Sequence, residues 1–337
     1  MTRKLILIAF VGLTCYLTAC KKDPLKGIDK KALFAQPTAT ELAAIQSEWN
    51  KRNLTPTEPN VEQTYTINDK LELKIVSFRL YGFKQYAGVL LPKSDRPLPV
   101  QIYMSGFGLE EPYAMQNIQL STSGTLPFIY VLPALRGQSI KFTVNETTYT
   151  SPVSEGIRND AFDGAADDGL AALNATGILF SQADVSSVLV RGGSRGATVV
   201  LLMAERDQRI KRVASVAGPT DLLTATTSHQ SDPTYRFQFL DELISGKVSL
   251  EQARKKLIAS SPLYFCASLP KTQMHLGEKD EIVPTSHGTA MQQAMQSAGK
   301  QDKFELFIYA GRTHSNIGTG NTEMDQRIKT FFQVLLP

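Results

Sequence analysis

The spacing of apolar and polar positions changes along this chain. Between Thr64 and Leu91 the two kinds of residue alternate, which predicts antiparallel strands with one covered face. From Val100 onward, short apolar runs are separated by longer segments with helical spacing. The short runs predict strands at 100–104, 127–132, 185–190, 212–217, 273–276 and 303–309. The longer segments predict helices at 158–175, 195–206, 285–298 and 323–335. This alternation favours an α/β fold, with a mostly parallel, doubly wound sheet after an antiparallel N-terminal start.

Residues 219–265 interrupt the alternation between two predicted core strands. Two short helices are predicted there, over Asp232 to Gly246 and over Ser249 to Ser261, with Asp232 as the N-cap of the first and Pro233 at its first position. In open α/β sheets the catalytic groups lie on loops at the carboxyl ends of the strands, and this insertion follows such an end. We expect a small helical cap over the pocket; the other interpretation is a surface decoration elsewhere.

The N-terminus has the composition of a targeting segment. Arg3 and Lys4 precede an apolar stretch from Leu5 to Ala19, which is too short for a membrane span. The stretch ends in Leu-Thr-Ala-Cys, which resembles a bacterial lipobox with Cys20 as the acylated residue; an ordinary secretory signal is the alternative. Acylation of Cys20 would anchor the protein in the bacterial cell envelope, at the outer membrane or facing the periplasm.

The domain organisation follows from this leader. Residues 1–19 are expected to be a lipoprotein signal peptide, 20–59 a polar, proline-punctuated tether with a short helix around Glu41 to Lys51, and 60–337 one large domain. After loss of Cys15 and modification of Cys20, only Cys266 remains, so no intramolecular disulfide is expected. The apolar residues around Cys266 predict that it is buried.

Charge excludes one class of partner. The formal net charge is +4, and removal of the leader with its two basic residues leaves about +2, which is too weak to indicate nucleic-acid binding.

The strongest chemical motif lies where the run Val188-Leu189-Val190 ends in Gly192-Gly193-Ser194-Arg195-Gly196 and a helical pattern follows. A Gly-x-Ser-x-Gly sequence between a strand and a helix is typical of a nucleophile elbow, with the serine exposed at a sharp turn. Glycines are needed on both sides because neighbouring chains crowd the strained serine. Ser194 is therefore the predicted nucleophile.

A serine hydroxyl needs a base, and the base needs a carboxylate that fixes its tautomer. Asp280 and His314 follow Ser194 in the order that α/β-hydrolases use, each on a loop after a predicted strand. The alternatives for the base are the other histidines; His229 and His287 are expected to face solvent and His275 to be a hydrogen-bonded core residue. The alternatives for the acid are Glu278 and Glu281.

An oxyanion hole requires two N–H donors. The backbone N–H of Arg195, directly after the nucleophile, is one candidate. The second is the N–H of Gly106 or Phe107, where the strand Val100 to Met104 opens into a glycine-containing turn. A plain hairpin turn is the competing interpretation of that loop.

From about Pro99 to the end, the chain resembles the catalytic domain of prolyl-oligopeptidase-like serine hydrolases. The most specific segment is the run from His275 to Pro284. The other matching segments are Leu135-Arg136-Gly137, Asp168 to Leu173, Gly192 to Gly196, Ala217 to Leu222 and Ser261-Pro262-Leu263. The resemblance implies an α/β-hydrolase fold, Ser194 as nucleophile, Asp280 as the triad acid and His314 as base.

The chain also departs from that family's peptidases. They usually carry a β-propeller, for which the roughly eighty residues after Cys20 are too few. Family members often place a tyrosine in the oxyanion loop and after the nucleophile, where this chain has Ser105 and Arg195. We therefore expect a serine hydrolase with a small-molecule or short peptide substrate and no cofactor, with an ester slightly favoured. The alternatives are a prolyl-oligopeptidase-type peptidase and a catalytically inactive binding lipoprotein; a metal site at Asp163 or Asp167 is disfavoured because no His or Cys joins them.

Overall fold

The computed structural model describes residues 23–106 and 124–336. Within these residues, nine strands form one sheet in the order β1-β2-β3-β5-β4-β8-β9-β10-β11, and two more form a separate hairpin. The sheet strands are β1 Thr57–Asn68, β2 Leu71–Leu80, β3 Phe83–Pro92, β4 Leu98–Met104, β5 Ile129–Ala134, β8 Ala183–Gly193, β9 Ile210–Val216, β10 Lys271–Gly277 and β11 Phe304–Tyr309. The hairpin strands are β6 Lys141–Val144 and β7 Thr147–Thr150.

The sheet changes direction once. The first three strands and the β3–β5 pair are antiparallel, whereas β4, β5, β8, β9, β10 and β11 pair in parallel. This architecture confirms the predicted α/β fold with its antiparallel start. All six predicted parallel strands are present, with ends shifted by at most three residues.

The helices cover both faces of the sheet. They are α1 Lys30–Leu33, α2 Ala39–Trp49, α3 Asp163–Leu179, α4 Arg195–Arg206, α5 Leu222–Ser228, α6 Pro233–Tyr235, α7 Asp241–Ile244, α8 Leu250–Ala259, α9 Ser286–Ser297 and α10 Thr322–Gln333. A π-helical turn, Arg236–Leu240, joins α6 to α7. Helix α3 begins five residues later than predicted, and the side chain of Asp160, two residues before the N-cap Phe162, accepts from the Gly164 N–H at 3.0 Å.

The apolar core lies between these layers. One face of the sheet packs on α3, α4, α8 and α9 in a single buried cluster. The other face packs on α10 through residues such as Leu189, Ala214 and Met324. The parallel strands are covered on both faces, which explains why their sequences are continuous apolar runs and not alternating ones.

The stretch predicted as a tether over 20–59 is folded where the structure describes it. Leu33 and Trp49 are buried in the main core. Arg254 of α8 donates to the backbone carbonyls of Leu33 and Ala35 at 3.2 and 2.7 Å, and its Nε donates to Glu41 at 2.6 Å. The tether prediction is therefore wrong for residues 23–59, because apolar residues spaced through a polar stretch find a partner helix more than two hundred positions away.

The segment 219–265 contains the predicted short helices. Asp232 caps α6, accepting from the Thr234 N–H at 2.7 Å with Pro233 at the first helical turn, as predicted. Further along, Phe239 stacks on Phe162 at a centroid distance of 5.5 Å, so this part packs beside the start of α3. The role of the segment as a cover over the pocket stays a prediction.

Cys266 is buried, as predicted, and burial raises the pKa of its thiol to about 11.

Among residues 23–106 and 124–336, no helix combines the length and the apolarity needed to cross a bilayer. Cys20 lies outside the described residues, so its acylation stays a prediction.

Candidate active site

Ser194 lies at a strained turn between β8 and α4. Its backbone has φ 52° and ψ −122°, a conformation that residues other than glycine rarely adopt. The Ser194 N–H donates to Val216 O at 2.8 Å, which pins the turn to the neighbouring strand. A Cβ at Gly192 would lie 2.1 Å from Gly196 O, and a Cβ at Gly196 would lie 2.1 Å from Met104 O. Both glycines are therefore required by close backbone approach, as the sequence motif implied.

Three side chains distant in sequence meet at this turn. His314 Nε2 lies 2.9 Å from Ser194 Oγ, and His314 Nδ1 lies 2.9 Å from Asp280 Oδ2. The other oxygen of Asp280 accepts from the N–H groups of Ile282 and Val283 at 3.0 and 2.8 Å. The carboxylate thus fixes the imidazole with its proton on Nδ1, which leaves Nε2 as the acceptor for the serine proton.

The loops carrying Asp280 and His314 are held together at the ends of β10 and β11. These strands are parallel neighbours, so both loops leave the same edge of the sheet. The Lys279 N–H donates to Arg312 O at 2.8 Å, and Glu278 accepts from the Gly311 N–H at 2.8 Å. The two loops therefore bring the acid and the base within reach through backbone contacts.

The alternative acids and bases lie elsewhere. Of the two alternative acids, Glu278 accepts from the Gly311 N–H, and Glu281 is exposed. His275 is fully buried with Nδ1 2.9 Å from Tyr309 Oη, which confirms it as a hydrogen-bonded core residue. His287 is buried rather than facing solvent, because its ring packs against Thr220, four residues after the end of β9. His229 is half-buried and stacks on Tyr235, so the prediction of a solvated surface histidine is wrong as well.

Two of the predicted oxyanion donors, Arg195 and Gly106, lie in backbone regions that pack against each other. Arg195 is the first residue of α4, and Gly106 follows Ser105 after the end of β4. The contact of Gly196 with Met104 O shows that the first turn of α4 packs directly on the end of β4. Phe107, the other candidate donor, lies outside the described residues. The two backbone regions that could bind an oxyanion are therefore adjacent.

The Arg195 side chain connects these two regions, a contact that the local sequence pattern does not predict. Its guanidinium is almost fully buried and donates to Gly106 O at 2.7 Å and to Gln138 Oε1 at 2.9 Å. Longer contacts of 3.4 Å reach Ser105 O and Ser105 Oγ. The signal in the sequence is a charged residue in the otherwise small and apolar first turn of α4, next to the nucleophile.

A further ion pair supports the turn that carries Gln138. Arg136 donates to Asp168 of α3 at 2.8 Å, and Asp168 also accepts from the Arg136 backbone N–H at 2.9 Å. Gly137 has φ +69°, and a Cβ there would lie 2.0 Å from the Arg158 side chain. The motif Leu135-Arg136-Gly137 thus builds a support for Arg195 rather than a contact to the nucleophile.

The two aspartates weighed as metal ligands are engaged with arginines. Asp163 accepts from Arg206 Nη2 at 2.6 Å and from Arg52 Nη2 at 2.7 Å, while Asp167 accepts from both guanidinium groups at 3.1 Å. In the part of the chain that the structure describes, no group of three or more His, Cys, Asp or Glu side chains could hold a metal ion.

The fold has relatives among solved structures. Acetyl xylan esterase 1 from Thermoanaerobacterium sp. JW/SL YS485 superposes with a TM-score of 0.61 at 17% identity, covering 88% of this chain and 95% of that chain. Acetyl xylan esterase from Paenibacillus sp. R4 gives 0.60 at 15% identity, covering 89% and 98%. Acylaminoacyl peptidase from Pyrococcus horikoshii gives 0.56 at 14% identity, covering 80% of this chain and 42% of that chain. These similarities show a shared fold.

Sequence comparison assigns the family. No curated protein sequence matches the chain. The family model described as "Prolyl oligopeptidase family" matches residues 148–336, more than half of the chain, including the elbow and both loops that meet it. The chain therefore belongs to the prolyl oligopeptidase family of serine hydrolases, which cleave ester or amide bonds.

Proposed function

We propose that this protein is a lipid-anchored carboxylic-ester hydrolase in which Ser194, His314 and Asp280 form the catalytic triad. The observation that carries the proposal is the pair of 2.9 Å contacts that join Ser194 Oγ to His314 and His314 to Asp280. This arrangement needs no metal or organic cofactor to cleave an acyl bond. An intact relay of this kind also argues against an inactive binding protein.

In the proposed mechanism the triad cleaves the ester in two stages, acylation of Ser194 and hydrolysis of the acyl-enzyme. Ser194 Oγ attacks the carbonyl carbon of the substrate while His314 Nε2 takes its proton. The N–H groups of Arg195 and of Gly106 or Phe107 stabilise the oxyanion that forms. His314 then gives the proton to the leaving alcohol, and the acyl group remains on Ser194. A water molecule, deprotonated by His314, attacks the acyl carbon; the bond to Ser194 Oγ then breaks, His314 returns the proton to Oγ, and the acid leaves.

Two observations support an ester over an amide substrate. The two acetyl xylan esterases superpose with TM-scores of 0.61 and 0.60, against 0.56 for the acylaminoacyl peptidase. In addition, Ser105 of the oxyanion loop is buried against Arg195, so residue 105 offers no phenol to the oxyanion. Esters have better leaving groups than amides and need less stabilisation of the tetrahedral intermediate.

The second candidate is a peptidase of the same mechanism. Membership of the prolyl oligopeptidase family favours it. The two functions differ in the leaving group, so matched substrates that share one acyl group separate them directly.

Attachment to a membrane rests on the sequence around Cys20. Acyl chains on Cys20 would hold the domain at the outer membrane or facing the periplasm of a bacterial cell envelope. Metabolic labelling with a palmitate analogue should mark the wild-type protein and not Cys20→Ala. Equal labelling of both proteins would contradict the anchor.

The activity is tested on the full chain in detergent. We expect turnover of p-nitrophenyl acetate and butyrate to exceed that of acetyl- and aminoacyl-p-nitroanilides by at least about a hundredfold in kcat/KM. Ser194→Ala should lose nearly all turnover, about a millionfold in a comparable triad enzyme. Preferential cleavage of the anilides would favour the peptidase, and full activity of Ser194→Ala would contradict the mechanism.

A further inference from the structure

The chain is fixed to the folded body from Asp23 onward. The Asp23 carboxylate accepts from the Leu25 N–H at 3.1 Å and from Lys30 Nζ at 2.7 Å. Leu25 and Leu33, on either side of Lys30, are fully buried in the core that α3, α4, α8 and α9 cover. The segment that enters α1 therefore lies against the domain and is not a free tether.

Helix α8 holds the next part of this segment. The Arg254 side chain donates to both carboxylate oxygens of Glu41, at 2.6 and 3.0 Å. Its guanidinium also donates at 2.7–3.2 Å to four backbone carbonyls, those of Ala32, Leu33, Ala35 and Gln36. Arg254 is only 9% exposed, so these contacts are shielded from water. Residues 23–41 are thus a fixed part of the domain surface.

The connection between Cys20 and this fixed segment is very short. Only Lys21 and Lys22 separate Cys20 from Asp23. An extended chain spans at most about 3.6 Å per residue, so the Cα atoms of Cys20 and Asp23 are at most about 11 Å apart. Acyl chains on Cys20 would insert into the hydrocarbon and hold that residue at the bilayer surface. The side of the domain around Asp23 would then lie beside the lipid headgroups.

Three lysines surround the point where the chain leaves the domain, and we call them the basic cluster: Lys26, Lys30 and Lys31. Lys26 lies in the turn after Asp23, with its backbone N–H 3.3 Å from Asp23 O, and the other two are the first residues of α1. Lys30 is paired with Asp23. Lys26 and Lys31 are exposed, and neither has an ion-pair partner within residues 23–106 and 124–336. Asp29, the remaining acid of this stretch, caps α1 with its side chain.

The charge near the anchor indicates the kind of partner. Five lysines and two aspartates lie within residues 21–31. Both acids of α2 are neutralised by ion pairs with α8, Glu41 with Arg254 and Glu48 with Lys255. Lysines next to a lipid anchor are attracted to anionic headgroups, and this attraction acts only within a Debye length, about 8–10 Å near physiological salt. The short connection keeps the basic cluster close enough to a bilayer for this attraction to act.

We propose that the basic cluster docks on a bilayer and binds the anionic headgroups of phospholipids. The acyl chains supply the hydrophobic attachment, and the lysines hold the domain against the bilayer with one side facing it. The inference rests on the proposed acylation of Cys20. It adds the partner, an anionic lipid surface, and the side of the domain that meets it.

Lysine footprinting tests the docking on the whole lipoprotein. The protein is studied in detergent, in phosphatidylcholine vesicles and in vesicles that also contain phosphatidylglycerol. A membrane-impermeant acetylating reagent is added, and mass spectrometry gives the rate of modification at each lysine. On the anionic vesicles, Lys26 and Lys31 should react at least about fivefold more slowly than in detergent, the factor that headgroup attraction supplies per lysine. High salt should restore their rates, because it screens this attraction.

Lys329 is the matched control lysine. It is exposed on α10, which covers the opposite face of the sheet from α8. Every rate is therefore expressed as a ratio to that of Lys329, which also corrects for protein trapped inside vesicles. The double variant Lys26→Glu/Lys31→Glu should abolish the protection of Lys30 on anionic vesicles. Lys329→Glu should leave the protection of Lys30, taken there relative to its rate in detergent, unchanged.

The possible failures are distinguishable. Docking is overturned if Lys26 and Lys31 keep their detergent ratios on anionic vesicles, or if neutral vesicles protect them equally. It is also overturned if the double variant keeps Lys30 protected. Failure of the anchor appears differently: the protein carries no acyl mass on Cys20 and does not float with the vesicles, and the docking proposal then falls with it. Hydrolysis of p-nitrophenyl acetate by the same samples reports separately on the triad.

Discussion

Replacement of Arg195 by methionine tests how the oxyanion region is held in place. The change removes a guanidinium that is only 3% exposed and that links the elbow to the loop after β4. Its two short bonds, to Gly106 O at 2.7 Å and to Gln138 Oε1 at 2.9 Å, are charge-assisted. Methionine keeps a similar chain length and fills much of the same volume, so the lost interactions are polar.

Loss of these bonds should lower both the stability of the protein and its kcat. Hydrogen bonds to a charged group contribute about 1.5–3 kcal/mol each, so loss of the two short ones should lower the free energy of unfolding by about 3–6 kcal/mol. The catalytic effect follows from position: Arg195 holds the carbonyls of the loop whose N–H groups are candidates for the oxyanion hole. Loss of one oxyanion donor costs about 10²–10³ in kcat, and displacement of a donor should cost up to that amount.

The assay separates positioning from folding. Urea unfolding gives the stability, and p-nitrophenyl acetate hydrolysis is measured well below the transition of the variant. We expect kcat to fall by about tenfold to a hundredfold while KM changes less than about threefold, because the oxyanion forms only in the transition state. The rate of inactivation by a fluorophosphonate should fall by a similar factor. Arg195→Lys should be intermediate, since an ammonium cannot contact two oxygens in a planar fork.

A folded methionine variant with the kcat of the wild type would contradict this positioning role of Arg195. A variant that loses stability but keeps kcat would show that the side chain supports the fold alone.

Three other changes have defined outcomes. Gly196→Ala should abolish activity or folding, because its Cβ would lie 2.1 Å from Met104 O and 2.5 Å from Ser105 O, both backbone atoms. A variant with the circular dichroism spectrum and the ester turnover of the wild type would contradict this. Arg254→Met should free the N-terminal helices from α8, because it removes the bonds to Glu41 and Ala35. Limited proteolysis should then cut within residues 23–56 at least about tenfold faster than in the wild type, and an unchanged cleavage rate would contradict this packing. Burial raises the pKa of Glu205 well above its ordinary value, and a raised folded-state pKa contributes stability that is present in acid and lost as pH rises through it. Glu205→Gln should therefore flatten the dependence of the unfolding free energy on pH above about pH 4.5 and stabilise the protein at pH 7; equal pH profiles for the two proteins would contradict this.

The sequence predicted those features that depend on local spacing. The parallel strands and the elbow at Ser194 follow from apolar runs and glycine positions, and the structure brings Ser194, Asp280 and His314 together in the predicted chain order. Contacts between distant segments could not be predicted in this way. Helix α2 was expected near its observed position, but its attachment to the body depends on Arg254, and nothing in the local pattern indicates that partner.

The same limit explains the errors at individual histidines and at the hairpin. His287 lies near a helix start, which predicted exposure, but its burial depends on Thr220 from another strand end. The hairpin of β6 and β7 was not predicted, because each strand has four residues and gives too short a pattern. The Arg195 side chain was overlooked because its acceptors lie about ninety and fifty-seven positions away in the chain.

In the proposed mechanism Ser194 becomes covalently modified during turnover. Mass spectrometry of the full chain after reaction with a fluorophosphonate should find a single phosphonate adduct on the peptide that contains Ser194, and prior incubation with an ester substrate should slow its formation. His314→Ala should form the adduct far more slowly, since the serine then lacks its base. An adduct on a different residue, or equal labelling of Ser194→Ala, would contradict the account.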